Sequence, residues 1–174
     1  MPPLWVGRTF KFDLPVEFHP LVVERLRGAP ARIEDKLGGL PNSLLARRHG
    51  DRWSIQEHVG HLLDLDELHA GRLDDFLAGS PALRAADMTN RKTWQAEHNA
   101  RPIAELLRAF RAERGRLVAR LDAWPEARWG LAALHPRLEQ PMRVIDMALF
   151  VAEHDDHHLA SMTELIGKLR GPHA

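Results

Sequence analysis

Apolar residues spaced three and four apart recur in four long segments of this chain, and no apolar–polar alternation of strand length survives inspection. A segment with that period hides one side of a helix. Four such segments have a common way to bury their stripes, which is to face one another in a bundle. The first stripe is Val22, Leu26, Ala29, Ile33, Leu37 and Leu40, within a segment from about His19. Gly28 and Pro30 interrupt it, which predicts a kinked helix or two helices laid end to end. The second has the clearest start. Ser54-Ile55-Gln56-Glu57 has the pattern of a capping box, and the helix should run to about Ala78, where Gly79-Ser80-Pro81 ends it. The third starts at Pro102, carries Ile103, Leu106, Leu107, Phe110, Leu117, Val118 and Leu121, and stops at Trp124-Pro125. The fourth runs from about Met142 to Lys168, with Gly171-Pro172 closing it. Polar residues 79–101 read as a long connection, and 125–141 as a second irregular stretch. The predicted fold is all-α, an antiparallel four-helix bundle with at least one crossover. Residues 1–18 read as an arm docking Trp5, Phe10 and Phe12 on a bundle domain of residues 19–170.

At 174 residues the chain fits one domain. Its 24 Lys+Arg balance its 24 Asp+Glu. A zero sum argues against a general nucleic-acid or anionic-membrane binder, since both need a positive field. The basic cluster Arg47-Arg48-His49 with Arg52 reads as a solvated loop. The longest apolar run, Met147 to Ala152, is far below a membrane span, and the first residues show no signal-peptide pattern. A cytoplasmic location is the expectation. The chain has no cysteine, so it has no disulfide, thiolate zinc site or cysteine nucleophile. Any metal must be held by His, Asp and Glu, and the chain has eleven histidines.

At about 100° per residue, Met147, Val151, His154, His158, Met162 and Leu165 share one sector of the fourth helix. His154 and His158 therefore project into the bundle, four residues apart, where one cation can bridge both imidazoles. Two core histidines bonded to neighbouring groups are the plainer alternative. A third ligand should come from a facing helix. The second helix offers His58, His61 and His69, and its stripe of Ile55, Val59, Leu62, Leu73 and Leu77 centres nearer His58 and His69. Periodicity does not select His61.

The segment Trp53-Ser54-Ile55-Gln56-Glu57-His58-Val59-Gly60-His61-Leu62 resembles the second-helix motif of the DinB/YfiT-like superfamily of metal-dependent enzymes. Glu153-His154-Asp155-Asp156-His157-His158-Leu159-Ala160 resembles that family's last-helix motif. Leu134-His135-Pro136-Arg137-Leu138 with Gln140-Pro141-Met142-Arg143 is similar to a DinB-like subgroup, and the likeness extends from about Phe12 to Leu169. The resemblance implies a divalent metal, nickel or zinc, on three imidazoles, which by position are His61, His154 and His158. It implies a homodimer, with S-transferases and an isomerase that use a low-molecular-weight thiol among the relatives. Three protein ligands leave a position open for water or a thiol, so the expected enzyme acts on a small-molecule substrate either as a hydrolase or as a thiol-dependent transferase or isomerase. With no cysteine in the chain, that thiol would come from outside. The rival class is a non-catalytic, stress-related metal- or ligand-binding dimer, marked by a closed site with a fourth ligand such as Asp64 or His58. A site without metal, its histidines paired to Asp64, Asp66 and Asp155, is a further alternative.

Two other residues are candidates for chemistry. His154-Asp155-x-x-His158 has the spacing of a zincin motif with a shorter acid, so Asp155 is either a general base or a supporting group. Glu153 and Asp156 point away from the stripe and read as solvated. Arg114 falls mid-stripe on the third helix, as Asp66 does on the second. Arg114 either pairs with Asp66 or Asp155 in the interior or binds a substrate carboxylate. His98, with Asn90 and Asn99, reads as a lid over the site or as plain surface loop, and Trp53 as a packing staple. His19, His49, His69, His135 and His173 have no partner visible by spacing.

Overall fold

The computed structural model describes residues 2–170. It forms helices α1 His19–Leu37, α2 Asn42–Leu45, α3 Ile55–Leu77, α4 Arg91–Gln95, α5 Ile103–Asp122 and α6 Val144–Arg170. Strands β1 Ala132–His135 and β2 Gln140–Arg143 make one antiparallel hairpin. The closing Gly171-Pro172 and His173 lie outside the described residues. Among the described residues no helix is long and apolar enough to cross a membrane.

The four long helices form the bundle, in the cyclic order α1, α5, α3, α6. Their directions follow from the pairs that join them. Arg25 meets Glu153 and Lys36 meets Thr163, so α1 and α6 run parallel. Asp66 meets Arg114 and Asp74 meets Arg120, so α3 and α5 are also parallel. Arg27 meets Asp122 and Glu34 meets Arg111, which makes α1 and α5 antiparallel. His58 beside His158 makes α3 and α6 antiparallel when read with His61 beside His154. A parallel neighbour forces a long return. The chain leaving α3 must travel back along that 23-residue helix, about 35 Å at its rise per residue, before α5 begins. The 79–101 connection is this crossover, and α4 and a single 3-10 turn at His98–Ala100 break it up.

Local sequence explains the helix boundaries. Ser54 Oγ accepts the Glu57 N–H at 3.1 Å and the Glu57 carboxylate accepts the Ser54 N–H at 2.8 Å, which completes the capping box of α3. Arg48 also pairs with that carboxylate. α1 is one helix, with Pro30 inside it. Pro30 forfeits one backbone bond, but it is buried with Leu26, Ala29 and Ile33, and tertiary packing outweighs the local cost. The β hairpin corrects the irregular reading of 125–141. Each strand has only four residues, too few to show alternation, and Pro141 obscures the second. Leu134 bonds its backbone to Pro81 and Leu83 as well, so the hairpin is tied to the segment after α3. Trp5, Phe10, Phe12 and Leu14 of the N-terminal residues pack on the apolar cluster, and Arg143 Nη2 donates to the Leu14 carbonyl at 2.8 Å. Glu153 and Asp156 are not simply solvated. Glu153 takes Arg8 and Arg25, and Asp156 takes Arg25 and Arg32.

The core divides along the bundle axis. One apolar cluster gathers Leu26, Leu73, Val118 and Met147; the other gathers Ile33, Leu62, Phe110 and Met162. Between their levels in α3, α5 and α6 lies a polar layer, Asp66–Arg114–Asp155, each side chain 0–1% exposed. Arg114 Nε and Nη2 bond Asp66 at 3.2 and 3.0 Å; Nη2 also reaches Asp155 at 3.0 Å, and Nη1 contacts the same carboxylate. Burial pushes the Asp66 carboxyl up to about 6, against the pull of Arg114. Burial also raises Asp155. Burial opposes the charge on Arg114, yet the two carboxylates more than offset it and raise its pKa.

Replacing Arg114 by Met strands two carboxylates in the interior. The variant should lose about 3–5 kcal/mol in urea unfolding at pH 8. The deficit relative to wild type should shrink toward pH 5. Carboxyls with raised folded pKa values take up protons in the folded state there, so their stability contribution is present at low pH and lost as pH rises.

Candidate metal centre

The layer fixes how the helices face one another. Asp155 points to Arg114, so His154 and His158, on neighbouring positions of α6, turn toward α3. There His61 meets them. One ligand-capable atom from each of His61, His154 and His158 falls within 4.8 Å of the others, and all three residues are buried. His154 Nε2 and His158 Nε2 stand 3.1 Å apart. His58 Nδ1 lies 2.7 Å from His158 Nδ1. His69, which periodicity also favoured, is buried but stands outside it.

His61 is oriented by the crossover. Thr93 Oγ1 lies 3.1 Å from His61 Nδ1 and 3.0 Å from Asp64 Oδ2. A carboxylate can only accept, so the hydroxyl proton goes to Asp64 and the hydroxyl accepts from His61 Nδ1–H. That leaves the lone pair of His61 on Nε2. His98 Nε2 approaches the same Asp64 oxygen at 2.9 Å. His98 is 1% exposed and is therefore a buried support, not a lid. Gly60 lets it come this close, because a Cβ there would lie 2.2 Å from the His98 ring. Sequence reasoning missed Thr93 entirely, since nothing in its spacing links it to α3. It also undervalued Trp53 and Trp5. The Trp53 ring lies 4.5 Å from the His61 ring and 6.2 Å from that of His158, and Trp5 meets His154 edge-on at 4.8 Å.

Burial keeps these imidazoles uncharged. It holds His61 down to about 3 and His58 down to about 4, with neighbouring histidines adding to the shift in each. It holds His154 and His158 well below the ordinary histidine range. Neutral imidazoles with converging lone pairs are the donor set that zinc, nickel, copper and iron(II) accept. Ligand atoms about 2.0–2.1 Å from a tetrahedral zinc stand roughly 3.3 Å apart, and the His154–His158 spacing suits this. The residues present therefore fit such a metal. Among the described residues the group comprises these three histidines alone. Asp64 Oδ2 takes Thr93 and His98, while Asp66 and Asp155 pair with Arg114. The Arg114 guanidinium and both oxygens of Asp155 are thus engaged within the triad.

The histidine group opens on a cavity of about 610 Å³. Leu4, Trp5 and Val6 line it from the N-terminal segment, Leu65 and Leu68 from α3, and Phe150 from α6.

The low folded-state pKa of His61 makes stability depend on pH. Unfolded histidine titrates near 6.5, so between that value and about 3 the unfolded chain holds more protons at this position. The contribution is complete above pH 6.5 and is lost as pH falls. On going from pH 7.5 to pH 5, the metal-free wild type should lose about 2 kcal/mol more than His61→Gln, measured by urea unfolding.

Three comparisons bear on this geometry. A family model described as the DinB superfamily matches residues 25–162. No curated protein matches the chain. Among solved structures, the chain is similar to YfiT from Bacillus subtilis, described as a probable metal-dependent hydrolase with an unusual four-helix bundle topology. The two are 20% identical, the likeness covers 91% of each chain, and the TM-score is 0.75. That likeness establishes the fold. With most of its length matched by the family model, the chain belongs to the DinB superfamily.

Proposed function

We propose that this protein is a metal-dependent enzyme acting on a small molecule, with hydrolysis as the leading reaction. The observation that carries the reading is the group of three neutral, buried imidazoles on the wall of a 610 Å³ cavity. Cavities of this size suit small-molecule ligands, and YfiT, of the same fold, is described as a probable metal-dependent hydrolase. In this reading His61, His154 and His158 hold a divalent cation, zinc or nickel. When bound, the cation supplies Lewis acidity to the substrate and to the attacking group. The protein's own contributions are distinct. Thr93 and Asp64 fix the tautomer and angle of His61, and such outer partners of ligating histidines usually matter strongly. Asp66, Arg114 and Asp155 hold α6 in register. Trp53, Trp5 and the N-terminal segment wall the cavity beside the histidine rings.

A thiol-dependent transfer or isomerisation is the second reading. The cavity volume favours it, because there is room for a small thiol beside an electrophilic substrate. A homodimer and a cytoplasmic location complete the proposal, the first resting on the family resemblance.

Protein purified without a polyhistidine tag should carry close to one divalent transition metal per chain by mass spectrometry. The His154→Ala/His158→Ala double variant should carry almost none. Equal, near-zero metal in both would defeat the reading. Thr93→Val should keep the fold but weaken metal affinity about 10–100-fold, read by competition with a chromogenic chelator. Turnover of an ester and amide panel, with and without added thiols, separates the two reaction types, and His61→Ala should abolish either.

A further inference from the structure

The cavity is also lined by Arg72, Arg137, His69 and His135, none of which belongs to the three-histidine group. Arg72 is 2% exposed. Its guanidinium makes one side-chain hydrogen bond among the described residues, from Nε to the Arg84 carbonyl at 3.2 Å. The carboxylate that acts on it, Asp75, is gripped by both the side chain and the backbone N–H of Arg84. Arg137 sits just past β1. Its Nη1 donates to the Val6 carbonyl at 3.1 Å and its guanidinium lies 5.8 Å from the Phe150 ring centroid. Its Nη2 is buried with no partner. His135 Nδ1 accepts the Leu138 N–H at 3.2 Å, which places the proton on Nε2, and that atom is also buried without a partner. His69 Nδ1 is a third buried atom with none.

These groups act on one another. Burial brings Arg72 down to about 10; Asp75 opposes the shift, while Arg137 and Arg84 add to it. Burial holds His135 down to about 4, with both arginines adding to the shift. Arg114 shows the contrast, since its buried charge meets two carboxylates. A buried guanidinium whose one acting carboxylate is held by another arginine is costly, and an unmet buried donor is rare. A planar carboxylate answers both, because it accepts paired N–H bonds from guanidinium groups. Leu65, Leu68, Met88 and Phe150 supply apolar wall, and the Asp87 carboxylate that also lines the cavity is held by Thr89 and the Arg91 N–H.

We propose that Arg72, Arg137 and His135 Nε2 form an anion pole that binds the carboxylate of an otherwise apolar substrate, whose other end reaches the three histidines. The proposal deepens the reading of this cavity as an enzyme site, while the anion pole itself needs no metal.

The test compares octanoate with its neutral analogue octanamide by titration calorimetry, on protein as purified and after metal stripping. Octanoate should bind about tenfold tighter or better in both forms, as a charge-assisted pair implies. Arg137→Gln and Arg72→Met should each bring the two affinities together, while His61→Ala should keep them apart. Equal affinities in wild type, no binding of either probe, or an unchanged ratio in Arg137→Gln would overturn the proposal. So would a preference lost on metal stripping or in His61→Ala, since the carboxylate would then be sitting at the histidines. Should Arg72→Met fail to fold, Arg137→Gln decides, because Arg137 is only partly buried. A metal-free wild type that still prefers octanoate would separate failure of the metal reading from failure of this one.

Discussion

One guanidinium organises this bundle. Arg114 of α5 bonds Asp66 of α3 and Asp155 of α6 at the level where the two apolar clusters divide. Leucines on either side could slide or rotate at little cost, since apolar packing tolerates many nearly equivalent arrangements. A buried ion triad cannot, because any slip leaves charge without a partner. It thereby sets the rotation of α6 and α3 about their axes. His154 precedes Asp155 by one residue and His158 follows it by three, so fixing Asp155 inward fixes both imidazoles on the side that faces His61.

Topology supplies the rest of the site. Because α3 and α5 are parallel, the chain must return along the bundle, and that return brings Thr93 and His98 against α3. A segment imposed by connectivity thus becomes the support of one histidine, through Asp64. The diagonal step from α5 to α6 carries the hairpin, which bonds the N-terminal segment through Arg137, Gln140 and Arg143. Those contacts bring Leu4, Trp5 and Val6 to the mouth of the cavity.

Charge is unevenly satisfied within a chain whose formal sum is zero. On the surface, arginines of α1 pair with acids of α5 and α6. In the interior, Arg114 is oversupplied with carboxylates while Arg72 is left with one backbone carbonyl. The same residue type therefore does two jobs: one buried arginine holds helices in register, and the other lines the cavity without a carboxylate hydrogen-bonded to it.

Much of this could be read from the residues. The stripes gave the four helices, Ser54 and Glu57 the start of α3, and the four-residue spacing placed His154 and His158 on one face. Those features depend on period and nearest neighbours, which a linear sequence contains. The hairpin escaped because four-residue strands with a proline hold no legible period. The choice among His58, His61 and His69 escaped for a different reason. Helical periodicity fixes the angles between residues of one helix, but not the rotation of that helix against another. Only contacts across the bundle, Asp66 to Arg114 and His61 to Thr93, set that rotation and brought His61 toward α6.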